Sequence, residues 1–403
     1  MKLKAGAIYY VILLSLLVTI ITLFIILLNY YSSIIISDSK DLDSVISDIY
    51  SSFELTVTDD IKTGEFQLDL YKNEKSIVDV KIEQWGAFYI ITSKSNSNKF
   101  PISKSAIVGT KKDDKDELCL FLKNNNKQLY VSGETKIIGD ILVPDNGIRT
   151  KTLEGISFHG DFLHKGKSDT SDFVMPEIDL DFLENPYNID EQIIFLNNDT
   201  VYNPFSNEII DYDPQNLNYY SCLRGKIRLF SDQAVVIPKS CDLKDVIIIA
   251  PVIIFDSGFT GTVQAFATDS IIVNSNVTLS YPSFLMVKSR SGNHCKITIN
   301  EDSEVHGGIC LYDDKIISKN SPSCIHILER TKISGIIYSN KTIELKGSVK
   351  GRVFTDKFVH ITASSAYENI LINAEISIED YNKHFIEPIV LKKENIEILK
   401  WLN

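Results

Sequence analysis

The stretch Lys332 to Thr355 reads KISGIIYSNKTIELKGSVKGRVFT, and it nearly repeats itself. Seven positions recur at one shift of 16 residues: Ile333/Val349, Gly335/Gly351, Ile337/Val353, Tyr338/Phe354, Lys341/Lys357, Ile343/Val359 and Leu345/Ile361. A unit this short, strand and turn only, cannot bury its apolar side alone. It becomes stable when stacked, because each coil covers the next. Alternating Ile and Val then point inward as ladders, and Glu344, Lys350 and Arg352 between them are expected to face solvent. A flat antiparallel sandwich also has short strands, but it gives no reason for seven matched positions at a fixed shift.

The signature extends beyond this pair. Ile297-x-Ile299 precedes Val305-x-Gly307-x-Ile309, Ile253-x-Phe255 precedes Phe259-x-Gly261-x-Val263, and Ile137-x-Gly139-x-Ile141 stands far upstream. Gly139, Gly261, Gly307, Gly335 and Gly351 are read as corners where a side chain would not fit. The chain is rich in Ile, Val, Tyr, Phe, Thr, Ser and Asn, which suits strands and turns. The expected fold is mainly β: an N-terminal transmembrane helix, a small α+β membrane-proximal region, then a parallel β-helix or β-solenoid with a large insertion.

Residues 1–29 carry the second strong signal. From Ala5 to Leu28 lie 24 almost wholly apolar residues, and no charge occurs between Lys4 and Asp38. About 20 residues at 1.5 Å each cross a bilayer core of roughly 30 Å. The run is longer than a secretory-signal core, and "NYYSSIII" offers no small-residue cleavage site. Lys2 and Lys4 precede it and Asp38, Asp41 and Asp43 follow, so the N-terminus is expected inside and the bulk in the periplasm or on the cell surface.

The expected organisation is 1–38 leader and transmembrane helix; 39–125 membrane-proximal α+β region; 126–166 first solenoid strands; 167–221 acidic insertion; 222–374 solenoid body; 375–403 C-terminal cap. Leu42, Val45, Ile46, Ile49 and Phe53 predict a separate amphipathic helix over 41–55, with Ser39 or Asp41 as its cap. The insertion has many acidic residues and four prolines and no period, with a hairpin expected in EQIIFLNNDTVYN.

A net charge of −12 argues against a nucleic-acid partner. Eight carboxylates are candidates for a polysaccharide-cleaving or Ca²⁺ set: Asp256, Asp269, Glu301, Asp302, Glu304, Asp313, Asp314 and Asp356. They share no phase of the repeat, and several fall at turns, where Asp is common. His294, Cys295, His306, Cys310, Cys324 and His326 have zinc-ligand chemistry but no compact zinc spacing. No catalytic, metal or cofactor site is assigned. Cys295, Cys310 and Cys324 are candidates for a disulfide across neighbouring coils, with buried free thiols as the alternative. Asn340 opens one of several glycosylation sequons, relevant only to a eukaryotic chain.

Residues 332–361 resemble the solenoid of bactofilins, whose short Val/Ile-Gly rungs stack into a right-handed triangular helix and polymerise end to end. The N-terminus resembles that of type IV pilin-like proteins. In "MKLKAG" the leader would end at Gly6 and the mature chain begin at Ala7, with Val11 where that family usually has Glu. The layout is similar to single-anchor bacterial envelope proteins. These resemblances imply a membrane-anchored structural or assembly protein contacting protein partners, further copies of itself or cell-wall polysaccharide. A membrane-anchored polysaccharide-active enzyme and an adhesin that binds through 167–221 stand as alternatives.

Overall fold

The computed structural model describes residues 5–58, 61–71, 77–111, 117–145, 147–187, 194–195, 200–214, 217, 221–289, 294–314, 323–379, 381, 385–391 and 396–402. The fold is mainly β, with one long N-terminal helix and a large parallel, solenoid-like sheet. Two compact units are distinguished. One comprises Met1–Thr56, Glu65–Lys81 and Ser93–Lys104; the other comprises Val57–Gly64, Ile82–Thr92 and Ser105–Asn403.

In the first unit a single helix runs from Ala5 to Thr56. The separate amphipathic helix expected over 41–55 is therefore the end of the same helix, and neither Ser39 nor Asp41 caps anything. The reason is local: no Pro or Gly lies between Ala7 and Thr56 to break it. Its most apolar window has mean hydropathy 3.2 and none of it is buried, which is compatible with a single membrane span. Tyr9 and Tyr10 mark one end of the apolar stretch and Tyr30 and Tyr31 the other. They stand 21 residues apart, or about 31 Å along a helix, the separation of the two aromatic belts of a bilayer. Further on, Ile49 and Phe53 are buried, and Ser52 donates to the Ser93 hydroxyl at 2.8 Å. Ile46, expected on that buried stripe, is exposed; Asp48, Ser52 and Thr56 are buried beside Ile49 and Phe53 instead.

The second unit is the stack. Its long strands Asp242–Phe255, Thr260–Val273, Lys332–Leu345 and Ser348–Ile361 each run along more than one side of a coil. Register shifts at Lys244/Val246 and Ala250/Val252 divide the first of these into three segments, one per side. Inward residues stack in register: Leu279, Val305, Ile333, Val349, Ile376 and Ile137 form one fully buried ladder on the first side. Ile333/Val349, Gly335/Gly351, Ile337/Val353 and Tyr338/Phe354 pair as the repeat predicts. The later matches do not. The register slips between Ser339 and Thr342, so that Ile343 pairs with Phe358, not Val359, and Lys357 pairs with Thr342, not Lys341.

Gly307, Gly335 and Gly351 form a column at one corner, with φ near +145°, +142° and +144°. Gly139 and Gly166 share this conformation. Gly261 does not: it pairs with Leu279, which pairs with Val305, two residues short of the corner. A bulge after Gly261 makes its spacing look like the motif while shifting its place in the coil.

The order of coils departs from the order of the chain. Beyond Ser348–Ile361, the next layer combines Glu375–Ser377 with Leu118–Leu122, a strand from the other end of the unit. Lys136–Ile138 and Asp140–Val143 stack on these, and Ser168–Thr170 follows. The N-terminal strands thus continue the C-terminal end of the stack, and one core holds Cys119, Ile141, Ile253 and Ile376 together. Leu118–Leu122, expected in the 39–125 region, is part of the stack.

Residues 167–221 are likewise not one insertion. Ser168–Thr170 closes one end of the stack, while Thr200–Asn203 and Ile210–Asp213 pair parallel with Cys222–Gly225 and Ile227–Phe230 at the other. Ile194–Phe195 pairs parallel with Tyr212 and Asp213; most of the stretch expected to form a hairpin, 191–193 and 196–199, lies outside the described residues. The stretch between must travel back along the stack, and it does. Asp172 O accepts from Asn124 N, Pro176 O from the Tyr338 hydroxyl, Glu184 pairs with Lys288, and the Tyr187 hydroxyl donates to Ala267 O. These contacts step through five coil spacings, from Leu118–Leu122 to Thr260–Val273, about 24 Å at ~4.8 Å each. The end segment 375–403 differs from a cap too. Glu375–Ser377 is within the stack, and Ile396–Leu402 pairs antiparallel with the strand Ser103–Lys111.

Candidate binding face and terminal groove

The outward side chains differ from one side of the stack to another. On the second side, Phe266, Phe284, Met286, Ile336, Tyr338 and Phe354 point away from the core yet are buried. The return strap and residues 385–391 cover them. Tyr187 meets Phe266 edge-on at 5.8 Å, and Pro388 lies against Gly308. Arg352 shares this side and is 9% exposed, against the expectation of a solvent-facing charge. Its guanidinium donates to both oxygens of buried Glu387, whose Oε1 also accepts from the Tyr381 hydroxyl at 2.8 Å.

Glu344, also expected in solvent, is 5% exposed on the third side. Its Oε2 lies 2.8 Å from His326 Nδ1 and its Oε1 3.0 Å from Lys346 Nζ. Burial opposes charge on both partners, but hydrogen bonding outweighs it. The bonds with Cys324 and Glu344 hold the His326 pKa up at about 9, and those from His326 and Lys346 hold Glu344 down at about 2.

The first side is bare by comparison. Its outward positions come in pairs one coil apart: Thr260 and Thr262, Thr278 and Ser280, Glu304 and His306, Lys332 and Ser334, Ser348 and Lys350. All are exposed or half-buried. Lys332 Nζ pairs with Glu304 Oε1 across coils at 2.9 Å.

At one end this side opens into a groove of about 440 Å³, lined by Tyr202, Phe205, Cys222, Arg224, Lys244, Asp245, Lys400 and Trp401 among others. Tyr202, Arg224 and Lys244 are successive register partners, so they stand in one column at coil spacing. Arg224 donates to the Asp242 carboxylate through Nε at 3.2 Å, and that bond holds Asp242 below its usual range. Asp245 is the extra residue of the bulge between Lys244 and Val246, at φ 60°. This turns it out of the ladder, and it receives Lys400 Nζ at 2.8 Å. Lys400 and Trp401 come from the antiparallel end strand, so distant parts of the sequence build the groove. Tyr202 is 63% exposed and Trp401 38%.

The eight candidate carboxylates do not converge. Glu301 and Asp302 both take Arg330, Glu304 takes Lys332, and Asp356 takes Lys123 at 2.9 Å. Asp313 is buried and accepts from the Ser323 hydroxyl at 2.6 Å; Asp256 and Asp269 are half-buried and Asp314 is exposed. No group of three or more metal-ligating side chains assembles among the described residues. All six cysteines are free, and all but Cys222 are buried. Cys310 is opposite Met286 and Tyr338, and Cys324 is opposite Lys296, so no two of the candidate trio are register partners. Burial pushes the Cys310 thiol up to about 12, away from reactivity. Asn340 spends its side chain on the backbone of Asp313, at 2.9 Å in both directions. Gly6 and Ala7 lie in the first turn of the long helix.

Tyr202, Arg224, Lys244 and Trp401 do not stand out in the sequence as a site. The column is spaced 22 and then 20 residues apart, which hides it from a search for one period. Compared with known protein families, with curated proteins and with solved structures, the chain matches none.

Proposed function

We propose that this chain is a membrane-anchored structural or assembly protein that displays the bare side of its stack to a partner outside the cytoplasm. The observation that carries this reading is the contrast between sides. The chain spends its own strap and end segment sealing the apolar second side, while the first remains a straight, polar surface. Dispersal of the carboxylates, four of them in ion pairs with Arg330, Lys332 and Lys123, favours display over polysaccharide cleavage. The resemblance to bactofilin solenoids suits a surface used for assembly, and the resemblance to pilin-like proteins suits an anchor that is processed after Gly6. Lys2 and Lys4 on the cytoplasmic side would put the stack in the periplasm or at the surface.

Affinity purification of the full chain from detergent-solubilised native membranes should recover a defined protein partner or a homo-oligomer, and mass spectrometry of the same sample reads the N-terminus. A chain beginning at Ala7 supports pilin-like processing, and an intact Met1 or Lys2 removes it. Recovery of the monomer alone, after cross-linking before solubilisation, contradicts the assembly reading.

A further inference from the structure

We propose that the terminal groove binds an acidic sugar polymer. This rests on the display reading of the same side and adds a ligand class to it. The groove combines two exposed aromatic rings, Tyr202 and Trp401, with three cations, Arg224, Lys244 and Lys400. Aromatic faces stack on the apolar faces of sugar rings, and ammonium and guanidinium groups pair with uronate or sulfate. Among the described residues Asp242 and Asp245 oppose the cations, paired with Arg224 and Lys400. Lys244 is exposed and in no ion pair among the described residues, which leaves a positive surplus on a chain of net charge −12.

The shape argues for a chain-like ligand. Arg224 and Lys244 stand on successive coils, ~4.8 Å apart, so their charges are set out along the stack. Beyond Lys244 the same column continues through Thr262, its register partner, into the hydroxyl-bearing face. Hydroxyls and backbone-spaced polar groups along that line suit successive sugar units leaving the groove. Single-stranded nucleic acid would also use rings and cations, so oligothymidylate is included as a competing polyanion in the test.

Two side chains make the site measurable in the full chain in detergent. Cys222 lines the groove and is the one cysteine of six that is not buried. Trp401 is exposed while the other tryptophan, Trp85, is 1% exposed. A hexamer of galacturonic acid should slow maleimide labelling of Cys222 about tenfold at ten times its Kd. It should also shield Trp401 from acrylamide quenching, and both effects should weaken as salt rises. A neutral β-1,4-glucose hexamer should do neither. Lys244→Glu should weaken the protection about tenfold or more, as should Tyr202→Ala; both positions are exposed, so loss of fold is not the expected cause. The proposal is overturned if the acidic hexamer leaves both probes unchanged, if the neutral hexamer protects equally, or if only oligothymidylate or anionic vesicles protect. Partner recovery without protection overturns the glycan site alone; protection without partner recovery overturns the assembly reading alone.

Discussion

Gly335→Ala should prevent the stack from folding, with a loss of more than about 4 kcal/mol. The residue sits at φ +142°, and a Cβ placed there would lie 1.7 Å from the carbonyl oxygen of Gly307 on the neighbouring coil. That atom is backbone, held in a ladder between Ser283 and Gly335, so it has nowhere to move. The column propagates the fault, because a Cβ on Gly351 would likewise lie 2.0 Å from the Gly335 carbonyl oxygen. Ser334→Ala, one residue away on the bare side, should change stability by less than about 0.5 kcal/mol. Chemical denaturation of the two variants in detergent separates them. A Gly335→Ala protein within about 1 kcal/mol of the parent would mean that the corner is not built this way.

Glu387→Ala should cost about 3–5 kcal/mol and release the segment that helps roof the second side. The loss is not the strength of an ion pair as such. Arg352 remains buried at 9% exposure with no carboxylate opposite, and the Tyr381 hydroxyl loses its acceptor. Removing both charges together, as Arg352→Met with Glu387→Leu, should return most of the stability, because an apolar pair of similar volume suits the surrounding Phe354 side. Denaturation midpoints of the single and double variants, with limited proteolysis at 385–391, give the answer. A double variant as unstable as the single one would contradict the account of Arg352 as a charge stranded without its partner.

The ladder of inward residues was legible because stacking demands it at every coil: Ile333 over Val349 is a contact and a spelling at once. What the repeat does not encode is what lies over it. Tyr338 and Phe354 follow inward Ile337 and Val353 directly, and two adjacent apolar residues in a strand signal burial on both faces. That signal was present, but the strap that answers it has no period, since it crosses coils and does not form one. For the same reason Glu344 and Arg352 had the outward phase predicted for them and still became buried. Register slips, as at Gly261 and after Ser339, depend on how a bulge closes and leave no trace in spacing. The pairing of Leu118–Leu122 with Ser348–Ile361 joins residues more than 200 apart, and the groove needs Trp401 beside Tyr202. Neither follows from any local pattern.

The display account is tested most directly by site-specific photo-crosslinking in native membranes, with a benzophenone amino acid placed in the full chain. Thr262 and Ser334 sample the bare side, and Phe173, 60% exposed, samples the strap. Adducts of one defined partner from Thr262 and Ser334, with none from Phe173, are the predicted result. Adducts from Phe173 alone, or none at either bare-side position, would contradict the claim that this side is the surface through which the protein works.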